Sequence, residues 1–284
     1  MSWLTDPFSL EFVQRALLGG VLVAVLCAVA GTWVIVRGMA FLGEALAHGM
    51  LPGVALATVL GFPVLLGAAA SAVVMSLGIG VLQRRARLSY DTSIGLLFVG
   101  MLALGVIVIS HAGSFATDAT AILFGDILAI GADDLVVLGI AVAAGIAAAA
   151  LAHRSLVALA VDERVARVLH LRPRLAQTVL VGLVTLAVVA SYQAVGSLLV
   201  VGLLVAPAVA ARQWTERIPT TMALAAIIGA LAVAAGLLVS WHAATAAGAT
   251  IAATAILAAG VSWGLRAVLD AAPRRRPVLD IVPS

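Results

Sequence analysis

Long uncharged apolar runs, each near twenty residues, take up most of this 284-residue sequence. A helix needs about 20 apolar residues to cross the hydrocarbon core of a bilayer. In lipid, only helices and closed barrels satisfy every backbone N–H and C=O. A barrel would show short segments alternating apolar and polar residues, whereas these runs are continuous and rich in Ala, Leu and Val. The expected fold class is all-α: a polytopic membrane helix bundle with 8–9 transmembrane helices. Charged residues make up 10% of the chain, against about 25% in soluble domains, too few to cover a surface that faces water.

The runs lie at about 12–36, 39–60, 63–82, 93–110, 133–152, 174–193, 197–213 and 220–240, with 245–267 as a possible ninth. All 16 basic residues are arginine, and they punctuate the runs. With Arg84, Arg85 and Arg87 placed in the cytoplasm, alternation gives nine crossings, an outer N-terminus and an inner C-terminus. Every arginine except Arg15 then falls inside, as the positive-inside rule requires, and Asp118, Asp133 and Asp134 fall outside. Spans six and seven read as a hairpin turning near 192–197. Because Asp6 and Glu11 precede Arg15, the first run lacks a basic leader and is expected to be a retained helix rather than a cleaved signal peptide.

The stretch 119–131 is too short to cross and is expected to be re-entrant or to lie at the surface, with Asp126 as cap or anchor. In the loop 153–173, Val161, Val165, Val168 and Leu169 recur at helical spacing, which predicts a short amphipathic helix at the cytoplasmic surface. Residues 1–272 form one membrane domain, and 273–284 a disordered basic cytoplasmic tail. The expected location is the cell (plasma) membrane, with lipid as a partner and nucleic acid excluded, since the arginines do not share a soluble face.

The absence of lysine removes Schiff-base chemistry and the lysine a P-loop uses on phosphates. Any energy from ATP must then come from another chain. No nucleophile–base pair or His-Glu-x-x-His motif is present, which argues against an intramembrane enzyme. Cys27 is expected to be a small core residue.

Span two carries the most informative chemistry. Glu44 and His48 are four apart and so share a helix face, roughly 14 Å from Met39 at the His48 level. A charged residue at the centre of a spanning helix costs about 2.5–3.5 kcal/mol, so the carboxylate needs a partner or water. Carboxylate plus imidazole suits a borderline divalent ion; the same pair is equally readable as two side chains hydrogen-bonding each other. Pro52 withholds an amide from the His48 carbonyl, and Gly49 and Gly53 permit close helix approach. Asp91 suits the N-terminus of span four. His111 and His242, with Asp118 near the first in sequence, lie at the outer mouth as extra candidate metal contacts.

The stretch 38–57, with Gly-Glu-Ala-Leu-Ala-His and then Leu-Pro-Gly-Val-Ala, resembles the permeases of zinc/manganese ABC importers, the ABC-3 family. Asp91-Thr-Ser-Ile-Gly-Leu-Leu-Phe, Ile122-Leu-Phe-Gly-Asp-Ile-Leu and Gln193-Ala-Val-Gly-Ser-Leu-Leu-Val…Ala206-Pro-Ala are similar to it in the same order. The resemblance implies a homodimer around a central pathway, two cytoplasmic ATP-binding subunits and an extracytoplasmic metal-binding protein. It implies no permanently bound cofactor, only the transported divalent metal: zinc ahead of manganese or iron. It places Glu44 and His48 on the pathway and makes 161–171 a helix coupled to the ATPase, with Asp162, Glu163, Arg164 and Arg167 as its polar residues. Pro52 and Pro207 are the expected helix breaks. The chain departs from the family pattern at His170, where glycine is usual, and at 244–247, which lacks the acid and proline. Rival readings are an importer of chelated metal or cobalamin and an ion-gradient secondary carrier.

Overall fold

The computed structural model describes residues 6–86, 88–112, 125–162 and 171–271. The tail and most of the expected coupling helix lie outside those residues.

Among the described residues nine α-helices run in order: α1 (Glu11–Val36), α2 (Phe41–Gly49), α3 (Leu51–Leu60), α4 (Val64–Arg85), α5 (Tyr90–Ala112), α6 (Ala132–Val161), α7 (Pro173–Arg212), α8 (Ile218–Ala243) and α9 (Ala247–Ala271). Among the described residues there is no strand. Eight stretches are long and apolar enough to cross a membrane, α2 and α3 together making one of them, and Leu198–Arg212 is a shorter apolar helix. The segment 245–267, read as a possible ninth span, is a full helix; the short one is the seventh.

Glycine explains why α1 can sit at the centre. It packs against α6, α7 and α8, and a side chain on Gly31 would overlap the Leu204 carbonyl of α7, while one on Gly20 would meet Val233 of α8. Trp33, Leu26 and Cys27 are fully buried along the same helix. Helices α2 to α5 pack among themselves and meet the others through α7.

Spans six and seven are not separated by a loop. They run on as α7 and are joined at Gly196, whose φ of 73° and ψ of 168° interrupt the helix, a conformation open in practice to glycine alone. Direction changes there: Gln177 lies beside Arg37 at the end of α1, yet Leu204 is back beside Gly31. Gly125, also at positive φ, packs its backbone on Val195 and Gly196. Just after it, Asp126 caps a single 3-10 turn, Ile127–Ala129, by accepting from the Leu128 amide at 3.2 Å. Ile127 and Ile130 are buried beside Gly20 and Gly19 of α1. The described part of the expected re-entrant piece thus plugs the bundle; its earlier half, 119–124, lies outside the described residues.

Two expectations are corrected. Residues 153–161 continue α6 as regular helix instead of opening a loop, because Leu156 and Leu159 carry its buried face onward. Pro207 does not break α7, where Gly196 is the sole non-helical residue; Gly229 of α8 leaves room for the proline ring.

Alternation of the spans brings the arginines together. Arg37 caps α1, Arg84 and Arg85 end α4, Arg172 precedes α7 and Arg217 precedes α8, all at one end of the bundle, here called the arginine end.

Candidate functional site

The α1–α2 connection begins at that end. Arg37 is the C-cap, Gly38 comes next at φ 67°, and the Met39 amide returns to the Val34 carbonyl at 2.9 Å. This is a Schellman turn, which needs glycine at its left-handed position. It delivers the chain directly into α2, whose Leu42, Gly43, Ala45, Leu46 and Ala47 are buried. The opposite face carries Phe41, Glu44 and His48.

Glu44 can only accept, so His48 donates through Nε2 to Glu44 Oε1, at 2.8 Å. Glu44 keeps 38% of its side-chain surface exposed and His48 22%. The pair is therefore neither sealed in the core nor free of the fold. The Phe98 ring of α5 meets His48 edge-on at 5.7 Å and Phe41 at 5.4 Å, giving the pair an aromatic wall. His48 stands roughly 10 Å into the span from Phe41, at 1.5 Å per residue.

Just past His48 the helix is interrupted. α2 stops at Gly49, α3 restarts at Leu51, and Pro52 sits in the first turn of the new helix. The Gly49 carbonyl accepts from Ser71 Oγ of α4 at 2.8 Å. Side chains on Gly53 and Gly49 would collide with Gly67 and Met75 of α4, so the small residues read from the sequence do allow close approach, backbone against backbone at Gly53. Break and contact together hold the Glu44 face in position.

The remaining candidates are scattered. His111 is exposed in the last turn of α5, in a groove with Leu56, Val59 and Ile107. His242 ends α8 beside Ala235, Leu238 and Val239, its Nδ1 2.8 Å from the Leu238 carbonyl. These two helices share no substantial contact among the described residues. Asp162 caps α6 in extended conformation; Asp118, Glu163, Arg164 and Arg167 lie outside the described residues. No group of three or more His, Cys, Asp or Glu side chains able to hold a metal occurs among the described residues. One chain thus brings one carboxylate and one imidazole to the α2 face.

The sequence pattern of the ABC 3 transport family matches residues 9–263. The chain belongs to that family. Its relatives include the "Manganese transport system membrane protein MntC" of Listeria monocytogenes, 34% identical over 85% of this chain and 86% of the relative. The "Chelated iron transport system membrane protein YfeD" of Yersinia pestis is 30% identical over 85% and 81%. Among solved structures, PsaBC from Streptococcus pneumoniae in complex with Fab superposes with a TM-score of 0.81 at 30% identity, covering 92% of this chain and 94% of that one. This member of the family is a multi-pass membrane protein, and the matched region holds the α2 face, the Gly196 junction and the capped turn at Asp126.

Sequence reasoning missed several residues of this family member that set the site. Phe98 ends the Asp91–Phe98 stretch that resembles the family, but its contact with His48, two helices away in the chain, has no local signal. Ser71 is one serine among apolar residues. Ser89 was legible: its Oγ accepts from the Thr92 amide at 3.1 Å, a capping serine before span four, with Asp91 supplying the first-turn carboxylate.

Proposed function

We propose that this chain is the membrane-spanning permease of an ATP-driven importer of divalent metal ions. The observation that carries the reading is the Glu44–His48 pair, held one turn apart on a half-open helix face inside a span, in a chain of the ABC 3 transport family. A carboxylate and an imidazole bind borderline divalent ions, and two ligands from one chain make a weak site that releases its ion, as conduction demands. A second copy of the chain facing the first would bring the donors to four and close a passage between them. MntC and YfeD are named for manganese and chelated iron, so manganese is the cargo to test first, with iron and zinc as competitors.

In this reading the arginine end is cytoplasmic, the N-terminus is outside, and the α6–α7 connection meets ATP-binding subunits. An extracytoplasmic metal-binding protein delivers the ion to the other end. No residue of the chain offers phosphate-loop lysine chemistry, as the sequence contains no lysine, and hydrolysis is assigned to the partner.

The test is manganese uptake into proteoliposomes holding the permease with its ATP-binding subunits. Uptake should require ATP and fall sharply in Glu44→Ala and in His48→Ala, with both variants still inserted. Uptake driven by a proton gradient without ATP would establish the secondary carrier instead, and wild-type transport in both variants would remove the pair from the pathway.

A further inference from the structure

Arg37 closes α1, and among the described residues its side chain bonds no acid. The guanidinium Nη1 donates to the Leu159 carbonyl of α6, and Nη2 lies 3.5 Å from Gln177 Oε1 in the first turns of α7. Leu159 is in the last turn of α6, where carbonyls have no amide of their own helix, so the arginine acts as a capping cation for a helix end. Leu159 and Gln177 stand on the two sides of the α6–α7 connection. Trp33, one turn before Arg37, meets His153 of α6 edge-on at 5.7 Å, so α1 grips α6 twice at this end.

The contact gains its importance from the stiff connection between Arg37 and α2. The Schellman turn at Gly38 joins them without slack: Met39 returns to Val34, and the Leu42 amide bonds the Met39 carbonyl at 2.9 Å. Glu44 is seven residues beyond the arginine on that rigid path. A shift of the α6 and α7 ends thus pulls on Arg37, and Arg37 can move only with the start of α2.

We propose that Arg37 is a positioning residue that transmits movement of the α6–α7 ends to the helix bearing Glu44 and His48. The proposal rests on the importer reading, which places the ATP-binding subunits at this end. It assigns Arg37 no contact with metal or nucleotide. Its fork geometry matters, because two donors fixed in one plane hold a helix-end carbonyl and an amide oxygen at once, whereas lysine offers a single compact charge without that pre-organised fork.

The experiment measures manganese(II) entry and ATP hydrolysis together, in proteoliposomes holding the permease complex with its ATP-binding subunits. Arg37→Ala is expected to lower the ions moved per ATP about tenfold, within the range of ordinary coupling between sites, with hydrolysis within about twofold of wild type. Arg37→Lys should fall between the two, and Gln177→Ala should lower the same ratio from the α7 side, which also carries the test if Arg37→Ala does not assemble. Adding Gln177→Ala to Arg37→Ala should produce no further loss. A wild-type ratio in both Arg37→Ala and Gln177→Ala, or a parallel fall of entry and hydrolysis that leaves the ratio unchanged, overturns the proposal while leaving the importer reading intact. A wild-type complex that hydrolyses ATP without moving manganese, iron or zinc overturns the importer reading and the transmission role with it.

Discussion

His48 Nε2 and Glu44 Oε1 stand 2.8 Å apart, one turn apart on the open face of α2. Groups that bond each other and share a cargo should not lose function independently. Glu44→Ala, His48→Ala and the double variant, compared by initial rates of manganese uptake, should show a coupling of about 0.5–3 kcal/mol. Strict additivity would mean that the two side chains act at separate steps.

Gly53 of α3 faces Gly67 of α4 with no room for a side chain, since a Cβ on either overlaps the other's carbonyl. Gly53→Val should destabilise the detergent-solubilised protein by about 1–3 kcal/mol, the usual cost of overpacking, read as a lower Tm. A Tm equal to wild type would show that α3 and α4 can separate freely.

Gly196 and Gly182 lie in the same helix but under opposite demands. Gly196 adopts φ 73° with the Gly125 backbone against it, whereas nothing lies within 4 Å of a Cβ on Gly182. Gly196→Ala is expected to cost about 1–3 kcal/mol in backbone strain; Gly182→Ala should be neutral or stabilising by up to about 1 kcal/mol. Thermal unfolding of the two variants side by side checks this, and equal Tm values would contradict the break.

Trp214 Nε1 donates to Ser262 Oγ at 2.6 Å, and Ser262 donates onward to the Ala210 carbonyl at 3.0 Å. The pair pins α9 to the end of α7. Ser262→Ala leaves the indole N–H without that acceptor, at a cost of about 1–3 kcal/mol, again visible as a lowered Tm.

The single native cysteine, Cys27, is fully buried and should stay silent to maleimides in the folded protein. Against that background, Ala246→Cys, in the exposed turn between α8 and α9, should label with an impermeant maleimide on intact cells. Ala86→Cys, at the arginine end, should label only after permeabilisation. The reverse pattern would invert the proposed topology.

Much of this architecture was legible from the order of residues. The spans, their alternation and the gathering of Arg37, Arg84, Arg85 and Arg217 at one end come from apolar run lengths and charge position. The α2 pair came from a spacing of four, and the close approach of α3 to α4 from Gly49 and Gly53. The turn between spans six and seven was foreseen as a hairpin near 192–197, and it falls at Gly196; a lone glycine gives no local sign that helix will continue on both sides of it. Pro207 had the stronger local signal for a break and does not make one, because tolerance of its ring depends on Gly229 in another helix.

Membrane class, the lengths of the apolar helices and the gathering of arginines at one end were determined by the sequence itself, since lipid imposes a length and a charge rule on each segment separately. Which face of α2 stays open, what stands against His48, and how Arg37 reaches both sides of the α6–α7 connection were decided only by the tertiary structure. Those relations join residues as far apart as 37 and 177, and they exist only once α1, α6 and α7 have packed.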